Sequence, residues 1–140
     1  MANDTSIWRV GDDEVDKVEL SRSLRAAELE RTLAENLEII GGHLMLVGRQ
    51  VPTASGRRID LLAIDRCGDL FIIELERDRS HQAMLGGILE EAGWAETLDF
   101  ERIASIYEDH HDQSFEDGFS AAFDRAPPTD INRDHQLVIV

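Results

Sequence analysis

A chain of 140 residues with 42% apolar content is long enough to bury one core and form a single domain. No run approaches the roughly 18 apolar residues of a membrane span, the N-terminus lacks a signal peptide's basic-then-apolar order, and the lone Cys67 forms no internal disulfide. A cytoplasmic protein without membrane association is therefore expected. The net charge of −15, from 14 basic and 29 acidic residues, weighs against a broad nucleic-acid-binding surface, because phosphate recognition draws on Lys and Arg, and Lys17 is the sole lysine.

Taken in chain order, residues 7–10 read as a short strand and residues 11–14 as an acidic turn. Residues 23–40 carry Leu24, Leu29, Leu33, Leu37 and Ile40 at helical spacing and stop at Gly41-Gly42, as an amphipathic helix with glycine past its end should. Three strands are expected next, at residues 43–51, 58–64 and 70–76. Their connections are short, at Ser55-Gly56 and Cys67-Gly68-Asp69, which indicates an antiparallel meander.

A helix is expected over residues 80–97, with Met84, Leu85, Ile88, Leu89, Ala92 and Ala95 on one face. Gly86-Gly87 in its middle costs roughly 1 kcal/mol per glycine against alanine, and marks either a close approach by another backbone or a kink. Asp99 caps a further helix through Tyr107, and Ser114 begins another that ends near Phe123, before Pro127-Pro128. Residues 136–140 form a strand, and because its apolar run meets the chain end, residues 1–140 are expected to be the N-terminal part of a longer protein.

The chemistry concentrates on Asp60, Glu74 and Glu76. In a strand, residues i and i+2 share a face, so Glu74 and Glu76 project together while Leu75 points to the core. Asp60 lies on the preceding strand, and one hairpin brings it beside Glu74. Carboxylates gathered on apolar strands repel one another unless a cation or proton compensates them. Mg²⁺ or Mn²⁺ suits an all-oxygen set to which the Leu75 carbonyl can contribute. The alternative is that these are solvated strand ends paired with Arg57, Arg58, Arg77 and Arg79. The spacing of the carboxylates alone leaves both readings open.

The wider context is more specific. Gly48-Arg49-Gln50-Val51-Pro52-Thr53, then Gly56-Arg57-Arg58-Ile59-Asp60-Leu61-Leu62, then Gly68-Asp69-Leu70-Phe71-Ile72-Ile73-Glu74-Leu75, resembles the NucS-like branch of the PD-(D/E)-x-K nuclease superfamily. The likeness reaches from Ile7 to Val140, with weaker flanks. It implies an α/β (α+β sandwich) fold with a restriction-endonuclease-like core: a central mixed sheet containing the antiparallel meander, flanked by helices. It also implies that Asp60 and Glu74 hold the metal. Glu30 matches an acidic position on the first helix that often joins the site, although a solvated helix-face glutamate is an equal alternative.

Two positions depart from the family pattern. Glu76 stands where the family has lysine, exchanging an ammonium for a group that accepts a proton or binds metal. Gly87 stands where relatives often carry glutamine. The expected function is a Mg²⁺- or Mn²⁺-dependent endonuclease hydrolysing phosphodiester bonds of nucleic acid, DNA in the first instance. Asp60, Glu74 and Glu76 are its catalytic and metal-binding carboxylates, and Arg57, Arg58, Arg77 and Arg79 contact phosphate. A basic region beyond Val140 would supply further DNA affinity. The alternative is a catalytically silent nuclease fold kept for protein interaction or homodimerisation, and a third reading is a metal-binding regulatory module. His110-His111, beside Asp109 and Asp112, is read as a solvated helix cap ahead of a zinc site, and Trp94 as a core residue ahead of a base-stacking platform.

Overall fold

The computed structural model describes residues 7–10, 15–18, 26–75 and 81–140, with side chains from residue 27 to 75 and from 85 onward. Glu76, Arg77 and Arg79, the acidic turn at 11–14 and the expected first residues of two helices (23–25 and 80) lie outside the described residues.

Strand β1 (Ile7–Val10) pairs antiparallel with β2 (Val15–Val18) in a two-stranded ribbon. The second strand was not expected, since Val-Asp-Lys-Val is too short and too charged to stand out. Helix α1 (Ala26–Glu35) is shorter than the expected 23–40. Asn36 leaves helical geometry at φ −136°, and its side-chain Nδ2 donates to the Thr32 carbonyl at 2.8 Å, satisfying an acceptor of the last turn. A single 3-10 turn over Leu37–Ile39 follows.

The meander is as expected. Strands β3 (Leu44–Pro52), β4 (Arg58–Asp65) and β5 (Leu70–Glu74) pair antiparallel in order. Asp65 fixes the β4–β5 turn: its carboxylate accepts from the Cys67 and Asp69 amides at 2.8 and 3.0 Å, and Gly68 takes the positive φ of +87°. Strand β6 (His135–Ile139) then adds beside β5 in parallel, completing a mixed four-stranded sheet ordered β3-β4-β5-β6. Between β5 and β6 the chain makes α2 (His81–Ala95), α3 (Phe100–His110) and α4 (Phe115–Phe123). Asp99 and Ser114 cap the last two by accepting from the Arg102 and Asp117 amides, as the sequence indicated.

The described structure is therefore α+β, with four helices and a mixed sheet. Alternation along β4 and β5 divides two cores. Leu62, Ile64, Leu70 and Ile72 pack with Ala92, Ala95, Ile103, Tyr107, Phe115 and Phe119 on one side. Leu61, Ala63, Phe71, Ile73 and Leu75 pack with Leu33 and Leu37 on the other. Trp94 is half-buried against the first core, in keeping with its expected role. No described helix is long and apolar enough to cross a membrane.

Candidate functional site

The carboxylates assemble because α1, β4, β5 and α2 each deliver one carboxylate to the same end of the sheet, where β3 delivers Arg49 and Gln50. Asp60 is buried in β4, and Glu74 is half-buried at the end of β5. The two are locked together: the Asp60 amide donates to Glu74 Oε1 at 3.2 Å, and the Leu75 amide donates to Asp60 Oδ2 at 2.9 Å. The expected pairing of Asp60 with Glu74 is thus present. Leu75 is buried toward the α1 side, as the alternation requires.

Glu30 is buried as well, which settles it against the solvated alternative. Its Oε1 accepts from Arg49 Nε and Nη2, both at 3.2 Å. Its Oε2 accepts from Gln50 Nε2 at 2.8 Å, and the same amide nitrogen donates to Asp60 Oδ1 at 2.9 Å. Gln50 therefore clamps two like charges with one NH₂ group. To do so it adopts φ +49°, a left-handed conformation uncommon for a residue with a side chain, just after the register shift in β3 between Leu46 and Gly48.

Glu91 was not anticipated. It lies on the packed face of α2 among Ile88, Ala92 and Ala95 and is only 2% exposed. Its Oε1 accepts from Arg57 Nε at 3.2 Å, while its buried Oε2 has no hydrogen-bond donor. The side chain nevertheless meets Glu74. Two carboxylates in contact require a proton between them, and the Glu74 carboxyl is pushed up to about 9. Burial is the main cause, followed by the contact with Glu91 and the charges of Asp60 and Glu91, with the Asp60 amide offsetting them in part. A protonated Glu74 supplies the donor that Glu91 Oε2 lacks. A glutamate inside an apolar helical stripe was the available sequence signal.

The result is a continuous polar chain: Arg49, Glu30, Gln50, Asp60, Glu74, Glu91, Arg57. Four carboxylates face two guanidinium groups, so the set remains negative even with a proton on Glu74. Among the described residues no three His, Cys, Asp or Glu side chains form a metal-holding group; the carboxylates stand in a line of hydrogen bonds. The acceptors are nonetheless all hard oxygens, the ligand class that Mg²⁺ and Mn²⁺ prefer. The chemistry of the set fits Mg²⁺ or Mn²⁺.

Of the expected phosphate-contacting arginines, Arg57 reaches this chain and Arg58 is exposed at the start of β4. The expected close approach at the glycine pair falls on Gly87, and it is made by a side chain instead of a backbone. A Cβ there would lie 2.0 Å from Arg57 Nη2, whereas one at Gly86 would meet nothing, and α2 continues unbroken. His111 is the C-cap of α3 and His110 is exposed, as expected of a solvated cap, but both rings also reach across to β3. His110 Nε2 lies 2.8 Å from the Arg49 carbonyl. His111 Nε2 lies 3.1 Å from the Leu46 carbonyl, and its ring stacks on Tyr107 at 4.0 Å. Together they tie the end of α3 to the bulged part of β3 that presents Arg49 and Gln50. Burial also lowers the His111 pKa, which favours a neutral ring.

Compared with protein-family models, curated proteins and solved structures, the chain has no match.

Proposed function

We propose that this chain is a restriction-endonuclease-like domain that hydrolyses phosphodiester bonds of nucleic acid, DNA in the first instance, with Mg²⁺ or Mn²⁺. The observation that carries the reading is the Asp60–Glu74 pair, hydrogen-bonded across adjacent strands and extended by Glu30 and Glu91 into one carboxylate chain. Asp60 and Glu74 would hold the cation, with Glu91, the Leu75 carbonyl and Glu76 as further oxygen donors. When bound, such a cation supplies Lewis acidity toward a phosphodiester and its attacking water. The chain's own residues do the rest. Gln50 and Arg49 hold Glu30 and Asp60 in register, while Glu74 gives up the proton that it holds in the absence of a cation.

Titration calorimetry with Mn²⁺ on the full chain tests the first half, and cleavage of plasmid and single-stranded DNA tests the second. Binding is expected for the native chain and is expected to weaken by roughly 10- to 100-fold in Asp60→Asn and Glu74→Gln. Binding that is absent, or indifferent to both substitutions, sinks the proposal.

A catalytically silent nuclease fold used for protein contacts is the second reading. The net charge of −15 favours it, as does a site whose carboxylates already find Arg49, Gln50 and Arg57 as partners. Mn²⁺ binding with both DNA substrates left intact across a range of salt would select it.

A further inference from the structure

A site that binds a phosphodiester beside four carboxylates needs a fixed positive group facing the substrate, since the acids alone repel it. Arg49 is committed to Glu30 through two nitrogens. Arg57 is committed differently. Among the described residues only its Nε is bonded, to the buried Glu91, and its side chain remains 36% exposed. Among the described residues, Nη1 and Nη2 have no acceptor.

The rest of the residue is held in place. Its backbone carbonyl accepts from the Thr53 amide at 2.9 Å and the Thr53 hydroxyl at 3.2 Å, closing the β3–β4 turn. Its guanidinium lies directly over Gly87 of α2, with Nη2 2.0 Å, Cζ 2.5 Å and Nη1 3.1 Å from where a Cβ would be. A guanidinium anchored at Nε and free at both Nη groups is a two-pronged donor matched to two oxygens of a phosphate. Glycine at 87 makes room for it.

We propose that Arg57, positioned by Glu91 and seated over Gly87, is a built fork for the non-bridging oxygens of the substrate phosphodiester. This rests on the nuclease reading and deepens it: Arg57 binds phosphate, Glu91 is a positioning residue, and Gly87 is the steric permission for both.

Two measurements on the full chain test the fork separately from the nuclease. In the first, the Arg57 Nε–Hε signal, assigned by its loss in Arg57→Lys, is followed by NMR while inorganic phosphate and then dimethyl phosphate are added without metal. A saturable shift is expected in the native chain and in Glu91→Gln, which keeps an acceptor for Nε. Glu91→Ala and Gly87→Ala are expected to abolish it. A native signal that fails to move, or that moves equally in Gly87→Ala, overturns the fork, and the native titration requires no variant to fold.

In the second, DNA cleavage with Mn²⁺ is expected to slow by roughly 10- to 100-fold in Arg57→Gln and in Gly87→Ala, with the double variant no slower than the worse single. Mn²⁺ affinity should hold within about two-fold, because neither change removes a cation ligand. Additive losses, or full activity in folded Gly87→Ala, would overturn the proposal. A native chain that never cuts DNA removes the nuclease reading, and the phosphate titration still decides the fork.

Discussion

Glu74 exists in two protonation states, and the fold strongly favours one of them. In the unfolded chain its carboxyl titrates near 4.5; in the native chain it is pushed up to about 9, chiefly by burial. Between those values the native state holds a proton that the unfolded state has lost. The group's contribution to stability is therefore complete below about 4.5 and drains away as pH rises through about 9. Glu74→Gln cannot ionise but keeps a donor for Glu91, so it is expected to flatten this decline. Urea unfolding of both proteins between about pH 5 and pH 9 checks it: the variant should gain on the native chain as pH rises. Parallel pH profiles would mean that the shared proton is not there. Of this site Glu30 was named only through the family resemblance, whereas the sequence itself made Asp60 and Glu74 legible, because carboxylates on apolar segments stand out. It concealed Gln50 and Glu91, whose roles depend on what lies across the fold from them.

Elements were legible where their ends carry local chemistry. Asp99 and Ser114 announced α3 and α4, because each accepts from an amide three residues on, and Gly68 announced the β4–β5 turn, where it takes the positive φ while Asp65 accepts from the turn amides. Helix α1 was overextended because its apolar spacing runs on past Asn36, and one side-chain bond back to Thr32 ends it. The segment entering β6 depends on a contact no local pattern reveals. Asn132, at φ +59°, donates to the Ala95 and Leu98 carbonyls at 2.7 and 2.9 Å, fastening that segment to the end of α2. Asn132→Ala leaves both carbonyls without this donor and puts alanine in a left-handed conformation, so a loss of about 2 to 4 kcal/mol is expected by urea titration. Asn132→Gly, relieved of the conformational part alone, should lose less. Equal losses would mean that the backbone conformation carries no cost there.

At the scale of the whole molecule, the mixed sheet with helices on both faces was expected from the family resemblance alone, and the long crossover through α2, α3 and α4 is what returns β6 in parallel beside β5. The charge is the unusual global property. At −15, like-charge repulsion opposes the folded state, and mobile ions relieve it. Raising NaCl from about 0.02 to about 0.5 M is therefore expected to raise the thermal midpoint by several degrees. On the nuclease reading proposed above, affinity for DNA should fall over the same interval, as phosphate contacts through arginine require. A midpoint indifferent to salt would indicate that the excess acids lie too far apart in the fold to repel one another.

The space above Gly87 also constrains how this chain can vary. Any residue with a Cβ at that position displaces the Arg57 guanidinium, and once displaced it leaves Glu91 buried without its partner. Positions 57, 87 and 91 are therefore tied in descent as well as in space. A side chain at 87 is accommodated without stranding that carboxylate when residue 91 is neutralised first and residue 57 is shortened next. Taken in the reverse order, the same three changes pass through an intermediate with a stranded carboxylate in its core. Reconstructed relatives should show the three positions changing as a block, with the glutamate neutralised first.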